Sequence, residues 1–208
     1  MNILIADDHE LIRAGLISAV MEEFPSAIIE EASNGKEAER MGRLKKWNII
    51  IMDMSMPEKT GLEVLKQLRS EFIKTPILIC SIHPENQYAL RVLKAGANGY
   101  ISKDCVQVDF INAIKTILKG KKYISAEVVE KLASRFDDDT SKEQHELISD
   151  RELQVLKFIA SGKTVSEIAA KLSLGIATVS TYRHRLLEKM NLKNNAEITY
   201  YAINHHLV

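Results

Sequence analysis

The stretch that decides the fold is Asn48–Pro57, NIIIMDMSMP. Ile49, Ile50, Ile51 and Met52 form an unbroken apolar run that ends on Asp53. A continuous run of this length suits a strand buried on both faces, which is the habit of parallel sheets. A carboxylate at the end of such a strand is costly unless it is paired. The residue therefore asks for a cation or a ligand.

Four more apolar runs precede or follow it: Asn2–Ala6, Ala27–Ala32, Ile77–Ser81 and Gly99–Ser102. Amphipathic stretches alternate with them, at about Leu11–Phe24, Lys36–Leu44, Gly61–Phe72, Glu85–Ala95 and Val106–Lys119. Five strands alternating with five helices predict an open parallel sheet covered on both faces. The run at Ala27–Ala32 carries Glu30 and Glu31 and suits an edge. A flavodoxin-like strand order of 2-1-3-4-5 accommodates the five units.

After Gly120 the pattern changes. Tyr123–Phe136 reads as a further helix starting near Ser125, and Asp137–Glu146, DDDTSKEQHE, reads as an acidic solvated linker. From Leu147 onward only helical patterns occur. Ser149 with Glu152 and Thr164 with Glu167 have the spacing of capping boxes. They open helices at about Asp150–Ser161 and Val165–Leu172. A turn at Ser173-Leu174-Gly175 leads to helices at about Ile176–Met190 and Asn195–His206. The expected organisation is thus 1–120, 121–146 as linker, and 147–208.

Composition excludes several classes. The chain has 208 residues, 46% apolar and 27% charged, with zero formal net charge and two cysteines. No apolar run approaches the roughly 20 residues that span a bilayer. The acidic N-terminus, MNILIADDHE, does not read as a secretory signal. Cys80 and Cys105 offer neither a disulfide framework nor metal spacing. A cytoplasmic protein with no membrane partner is expected. With a neutral chain, nucleic-acid binding has to come from a local patch.

Ligands of an open parallel sheet bind beyond the carboxyl ends of its strands. Asp7 and Asp8 follow the first strand, Asp53 ends the third, Ser81 the fourth, and Lys103 follows the fifth. If strands one and three are neighbours, three carboxylates meet and need a cation. Mg2+ suits them, being oxygen-seeking and retentive of waters that a phosphate can replace. Asp53 would then act as nucleophile, with Lys103 and the ion neutralising a phosphoryl group in transfer.

Residues 1–120 resemble the receiver domain of two-component response regulators. The resemblance is carried by Asp7-Asp8-His9, the spacing DxxMPxxxG from Asp53 to Gly61, Ser81, Ala95-Gly96-Ala97, Gly99-Tyr100 and Lys103. It implies that Asp53 accepts a phosphoryl group from a phosphohistidine on a sensor histidine kinase. It implies Mg2+ held by Asp8, Asp53 and the Ser55 carbonyl, with Asp7 acting through water. It implies Ser81 and Tyr100 as a switch pair. One departure is Asp104 after Lys103, where many receivers have proline, often behind a cis bond. A cis bond here would cost roughly 2.5–4 kcal/mol.

Thr178–Lys193 is the second candidate. Arg183, Arg185, Lys189 and Lys193 stand against Glu188 alone. Val179, Tyr182, Leu186, Leu187 and Met190 recur at helical spacing and predict a core face. Ser180, Thr181, Arg183, His184 and Arg185 fall mostly off it. A short helix, a turn and a basic helix describe a helix-turn-helix, whose second helix enters the DNA major groove. Residues 147–207 resemble the LuxR-type output domain of NarL/FixJ-class regulators. The carriers are Ser149-x-Arg151-Glu152, Ile159-Ala160-x-Gly162, Glu167-Ile168-Ala169, Thr178-Val179, Lys189-Met190 and Ala196-Glu197. This resemblance maps DNA contacts onto Ser180, Thr181, His184 and Arg185, with Lys163 and Lys193 as phosphate contacts. Gly175 and Ala177 depart from the family's usual Ser and Lys, so promoter binding is expected to lean more on Arg183 and Arg185 as DNA contacts.

The expectation is a phosphorylation-switched transcription regulator, a phosphoacceptor in a phosphorelay and not an enzyme. It would bind double-stranded promoter DNA as a homodimer reading two half-sites. The last helix, with Ile198, Tyr201, Ala202 and Leu207, is a candidate dimer face or core face. An aspartyl-phosphate phosphatase is the alternative, but those commonly carry a second Asp two residues after the nucleophile. Ser55 stands there. A phosphate-independent docking module is the third reading, and the complete carboxylate and lysine set argues against it.

Overall fold

The computed structural model describes residues 1–82, 85–125, 129, 144–205 and 207–208. It divides into two compact units, Met1–Asp138 and Asp139–Val208.

The first unit alternates β1 (Asn2–Ala6), α1 (Glu10–Glu23), β2 (Ile28–Ala32), α2 (Gly35–Leu44), β3 (Ile49–Asp53), α3 (Gly61–Ser70), β4 (Ile77–Ser81), α4 (Glu85–Lys94), β5 (Gly99–Ser102) and α5 (Gln107–Leu118). All strands are parallel, in the order β2-β1-β3-β4-β5. This is the flavodoxin-like order expected from the sequence. Every residue of β3 and β4 is buried, which explains their unbroken apolar runs. β2 is one edge, and its glutamates are held at the surface: Glu31 by Arg13 at 2.7 Å and Glu30 by Lys45.

On one face of the sheet, Ile3, Ile5, Ile49, Ile51, Leu78, Cys80 and Ile101 pack against Val20 of α1 and Phe110, Ile111, Ile114 and Ile117 of α5. The α5 spacing is that of one helical face, so a single stripe is removed from water. Each fully buried large aliphatic side chain contributes about 1.5–3 kcal/mol.

Tyr123 does not begin a helix. Its N–H donates to the Asn98 carbonyl at 2.8 Å and it pairs with Gly99 as an isolated parallel bridge. In keeping with a helix that starts near Ser125, Val129 is helical and its N–H donates to the Ser125 carbonyl at 3.1 Å, while residues 126–128 and 130–143 lie outside the described residues.

The second unit opens with a short 3-10 turn, Gln144–Glu146. Four helices follow: α6 (Asp150–Ala160), α7 (Val165–Leu172), α8 (Ile176–Lys189) and α9 (Asn195–Asn204). Both expected capping boxes are complete, Ser149 with Glu152 and Thr164 with Glu167. A third, Thr60 with Glu63, opens α3. Ser173 ends α7 in the left-handed region (φ 53°), and Gly175 caps α8 without a side chain. Ile198, Ala202 and Leu207 are core residues, whereas Tyr200 and Ile203 are exposed large apolar residues of α9. Among the described residues, no helix is long and apolar enough to cross a membrane.

Candidate functional site

β1 and β3 are adjacent, with Ala6 level with Met52. That register brings the residues after β1 beside the end of β3. Asp7 and Asp53 are both buried, and between them sits Lys103 from the end of β5. Its Nζ lies 2.7 Å from Asp7 Oδ2 and 3.0 Å from Asp53 Oδ2. Neither of those oxygens accepts a well-formed hydrogen bond otherwise. Asp8 lies nearer solvent. One donor atom each from Asp7, Asp8, His9 and Asp53 lie within 4.8 Å of one another.

Burial raises the Asp53 carboxyl above its ordinary value, the Lys103 charge opposes that, and the Asp7 charge adds to it. A Ser55 backbone hydrogen bond also favours the ionised form. Burial alone would lower the Lys103 ammonium, but Asp53 and Asp7 together raise it, so it stays charged. Three carboxylates facing one ammonium leave two negative charges in the crevice. That balance, with buried carboxylate oxygens aimed inward, fits a divalent cation.

The loop after β3 is shaped by close approach. The Gly61 N–H donates to the Met54 carbonyl at 3.0 Å, and a Cβ at Gly61 would stand 2.1 Å from the Asp53 carbonyl oxygen. Glycine in the DxxMPxxxG spacing is therefore a packing necessity at the peptide of Asp53. The β5–α5 loop forms without a cis bond. Lys103 donates its backbone N–H to the Ser81 carbonyl at 2.8 Å, and Asp104 donates to Ser102 Oγ at 3.2 Å. These bonds hold the lysine in place with aspartate after it.

Ser81 and Tyr100 are both buried. Tyr100 pairs with Ile79 and Ser102 with Ser81, so Ser81 and Tyr100 share one face of the sheet.

In the second unit, Ser180, Thr181, His184 and Arg185 are exposed on one side of α8. Thr181 Oγ1 donates back to the Ala177 carbonyl, and His184 lies 3.5 Å from Glu188. Lys163 and Lys193 lie beyond α8, before α7 and before α9. Arg183, also expected at DNA, stands on another side of α8. It shares the side of Val179, Leu186 and Met190, is half-buried, and its Nε donates to Asn195 Oδ1 at 2.6 Å. Lys189 is likewise committed within the unit, donating to both Glu152 oxygens at 2.7 and 2.9 Å. Neither partner is visible in the local spacing of the helix. Tyr182 is half-buried.

Residues 3–115 match the family described as the response regulator receiver domain, and residues 146–202 match the luxR family of bacterial regulatory proteins. The response regulator UvrY of Escherichia coli (strain K12) is 34% identical over 209 residues, covering 100% of this chain and 95% of its own. The oxygen regulatory protein NreC of Staphylococcus carnosus (strain TM300) is 31% identical, covering 98% of this chain and 97% of its own. Among solved structures, RcsB of Salmonella enterica serovar Typhimurium, bound to promoter rprA in the presence of the phosphomimetic BeF3-, superposes with a TM-score of 0.64. The alignment covers 97% of both chains at 23% identity and shows the shared fold.

Proposed function

The chain belongs to the NarL/FixJ-class response regulators, DNA-binding transcription regulators with a receiver domain and a LuxR-type helix-turn-helix, and from that premise we propose that Asp53 is its phosphoacceptor. The observation that carries this is the buried Asp53 carboxylate at the end of β3, 3.0 Å from Lys103 and in one crevice with Asp7.

In this reading Asp53 Oδ attacks the phosphorus of a phosphohistidine on a sensor histidine kinase. The phosphorus–nitrogen bond breaks, and the imidazole leaves with the electron pair and takes up a proton. Lys103 meets the charge on the phosphoryl oxygens. Asp8, Asp53 and the Ser55 carbonyl would hold Mg2+, with Asp7 through water. Bound there, the ion would supply charge neutralisation at the phosphoryl oxygens and would favour ionised Asp53 against the raising effect of its burial. Ser81 would then contact the phosphoryl group, and Tyr100 on the same face would follow it. The chain transfers no group onward to a small-molecule substrate; its own Asp53 is the acceptor.

The output is promoter double-stranded DNA read by α8. Ser180, Thr181, His184 and Arg185 face the major groove, while Lys163 and Lys193 contact phosphates. Arg183 supports α8 through Asn195. A homodimer formed on phosphorylation would place two copies of α8 on half-sites about one turn apart. We place the receiver at 1–120, the linker at 121–146 and the DNA-binding domain at 147–208, in a cytoplasmic protein.

The test is incubation with acetyl phosphate and Mg2+, followed by intact mass. One phosphoryl group is expected on the native chain and none on Asp53→Ala. An unmodified native chain, under conditions that modify a control receiver, would overturn the proposal.

A further inference from the structure

His9 stands among the carboxylates, and nothing in the phosphoacceptor chemistry above uses its ring. We propose that His9 is a nitrogen ligand of the cation site, so that the site favours a first-row transition ion of the Co2+ or Zn2+ kind more than an all-oxygen set would. This rests on the cation site proposed above.

Geometry comes first. His9 Nδ1 is 3.0 Å from Asp8 Oδ1 and 3.4 Å from Asp7 Oδ1. Neighbouring ligands on an octahedral ion with bonds of about 2.1 Å stand about 3 Å apart, and opposite ones about 4.2 Å. The donor atoms of Asp8, His9 and Asp53, all within 4.8 Å of one another, therefore need only small shifts to share one ion, with Asp7 reaching it through water. Two of the carboxylates, Asp7 and Asp53, are buried, and their Oδ2 atoms share the single charge of Lys103. The crevice thus sets two buried carboxylates and Asp8 against one ammonium, an excess of negative charge that a cation would balance.

The ring is also placed by the backbone. The His9 N–H donates to Asp7 Oδ1 at 2.8 Å, which ties the Asp7-Asp8-His9 segment into a tight turn. His9 occupies the N-cap of α1, yet its side chain makes no capping bond. It leans to the carboxylates instead. The positive end of α1 opposes a cation here, and three carboxylates outweigh it.

The chemistry follows from donor type. Carboxylate, carbonyl and water suit Mg2+, whereas imidazole suits Zn2+, Cu2+, Fe2+ and Ni2+. Adding one imidazole to three carboxylates shifts selectivity toward those ions without removing the oxygen ligands that Mg2+ uses.

The test is equilibrium titration of the full chain with Co2+ and, separately, with Mg2+, counting only Co2+ that excess Mg2+ displaces. The variants are His9→Ala and His9→Asn; the second keeps a good N-cap residue while removing the imidazole. Both should lose Co2+ affinity by roughly tenfold or more, the scale seen when even an outer partner of a metal ligand is removed. Mg2+ affinity should change by less than about twofold, because its oxygen ligands remain. Equal loss for the two ions, or unchanged Co2+ affinity, would overturn the role of His9. A native chain that binds Mg2+ but holds no Mg2+-displaceable Co2+ would overturn it as well. A native chain that binds neither ion would overturn the cation site itself.

Discussion

Lys103 Nζ lies 3.0 Å from Asp53 Oδ2, with both side chains more than nine-tenths buried, and the same ammonium reaches Asp7 Oδ2 at 2.7 Å. One positive charge thus holds two buried carboxylates from different strands. Removing it leaves like charges facing each other without water. Lys103→Met should destabilise the first unit by about 3–5 kcal/mol, the cost of breaking a buried pair. Urea unfolding measures this, and added Mg2+ should recover part of the loss. A midpoint equal to that of the native chain would show that the lysine does not hold the crevice together.

Glycines at two positions should respond with opposite signs. Gly15 lies within α1 and an added Cβ would meet nothing within 4 Å, so Gly15→Ala should stabilise by about 0.5–1 kcal/mol. At Gly61 the added Cβ would stand 2.1 Å from the Asp53 carbonyl oxygen. Backbone must move there, and the nucleophile moves with it. Gly61→Ala should cost about 1–3 kcal/mol, the range for overpacking, and slow modification by acetyl phosphate. Thermal melts and the mass assay read the two effects separately.

Acid should weaken the second unit through Glu152. Burial tends to raise this carboxyl, but the hydrogen bond from Lys189 and those from Ser149 outweigh it and hold it below its ordinary 4.5. A lowered folded value means that its stabilisation is fully present above the unfolded value and disappears as pH falls through the folded one. Melting of the helical unit should be flat from pH 7 to about 5 and fall below about 4. Glu152→Gln should melt lower at pH 7 and show a smaller acid slope. A mutant that keeps the full acid slope would place the titration elsewhere.

Two arginines of α8, two residues apart, should behave differently on DNA. Arg185 is exposed, and Arg185→Ala should weaken promoter binding and reduce the salt slope by about 1. Arg183 is tied to Asn195, so Arg183→Ala should leave the salt slope unchanged and lower the melting temperature instead. Fluorescence anisotropy across a salt series separates the two. A reduced slope for Arg183→Ala would assign that arginine to phosphate.

Much of this protein was legible locally. The apolar runs of β3 and β4 declare strands buried on both faces, and those strands are buried throughout. Capping boxes depend on residues three apart, so Ser149 with Glu152 and Thr164 with Glu167 could be read directly. Thr60 with Glu63 carries the same signal and was equally readable. Strand ends delivered Asp7, Asp53, Ser81 and Lys103 because chemistry at a parallel sheet gathers at one edge.

What depended on distant partners was not legible. The basic helix α8 offered Arg183 to DNA, but Arg183 meets Asn195 across 12 residues, and Lys189 of the same helix meets Glu152 across 37. A charge on a helix is available to a ligand only if no neighbour in space has claimed it. Helical spacing alone could not decide which face of the last helix was core, and packing buried Ile198 and Ala202 while leaving Tyr200 and Ile203 outside. The sequence by itself determined which residues form strands and helices and which side chains sit at their ends, because those choices rest on periodicity and on contacts within one turn. Only the tertiary structure decided that Lys103 bridges Asp7 and Asp53, that Gly61 has no room for a side chain, and that His9 leans into the carboxylates. Burial and pairing are properties of what the fold brings near, and chain order does not contain them.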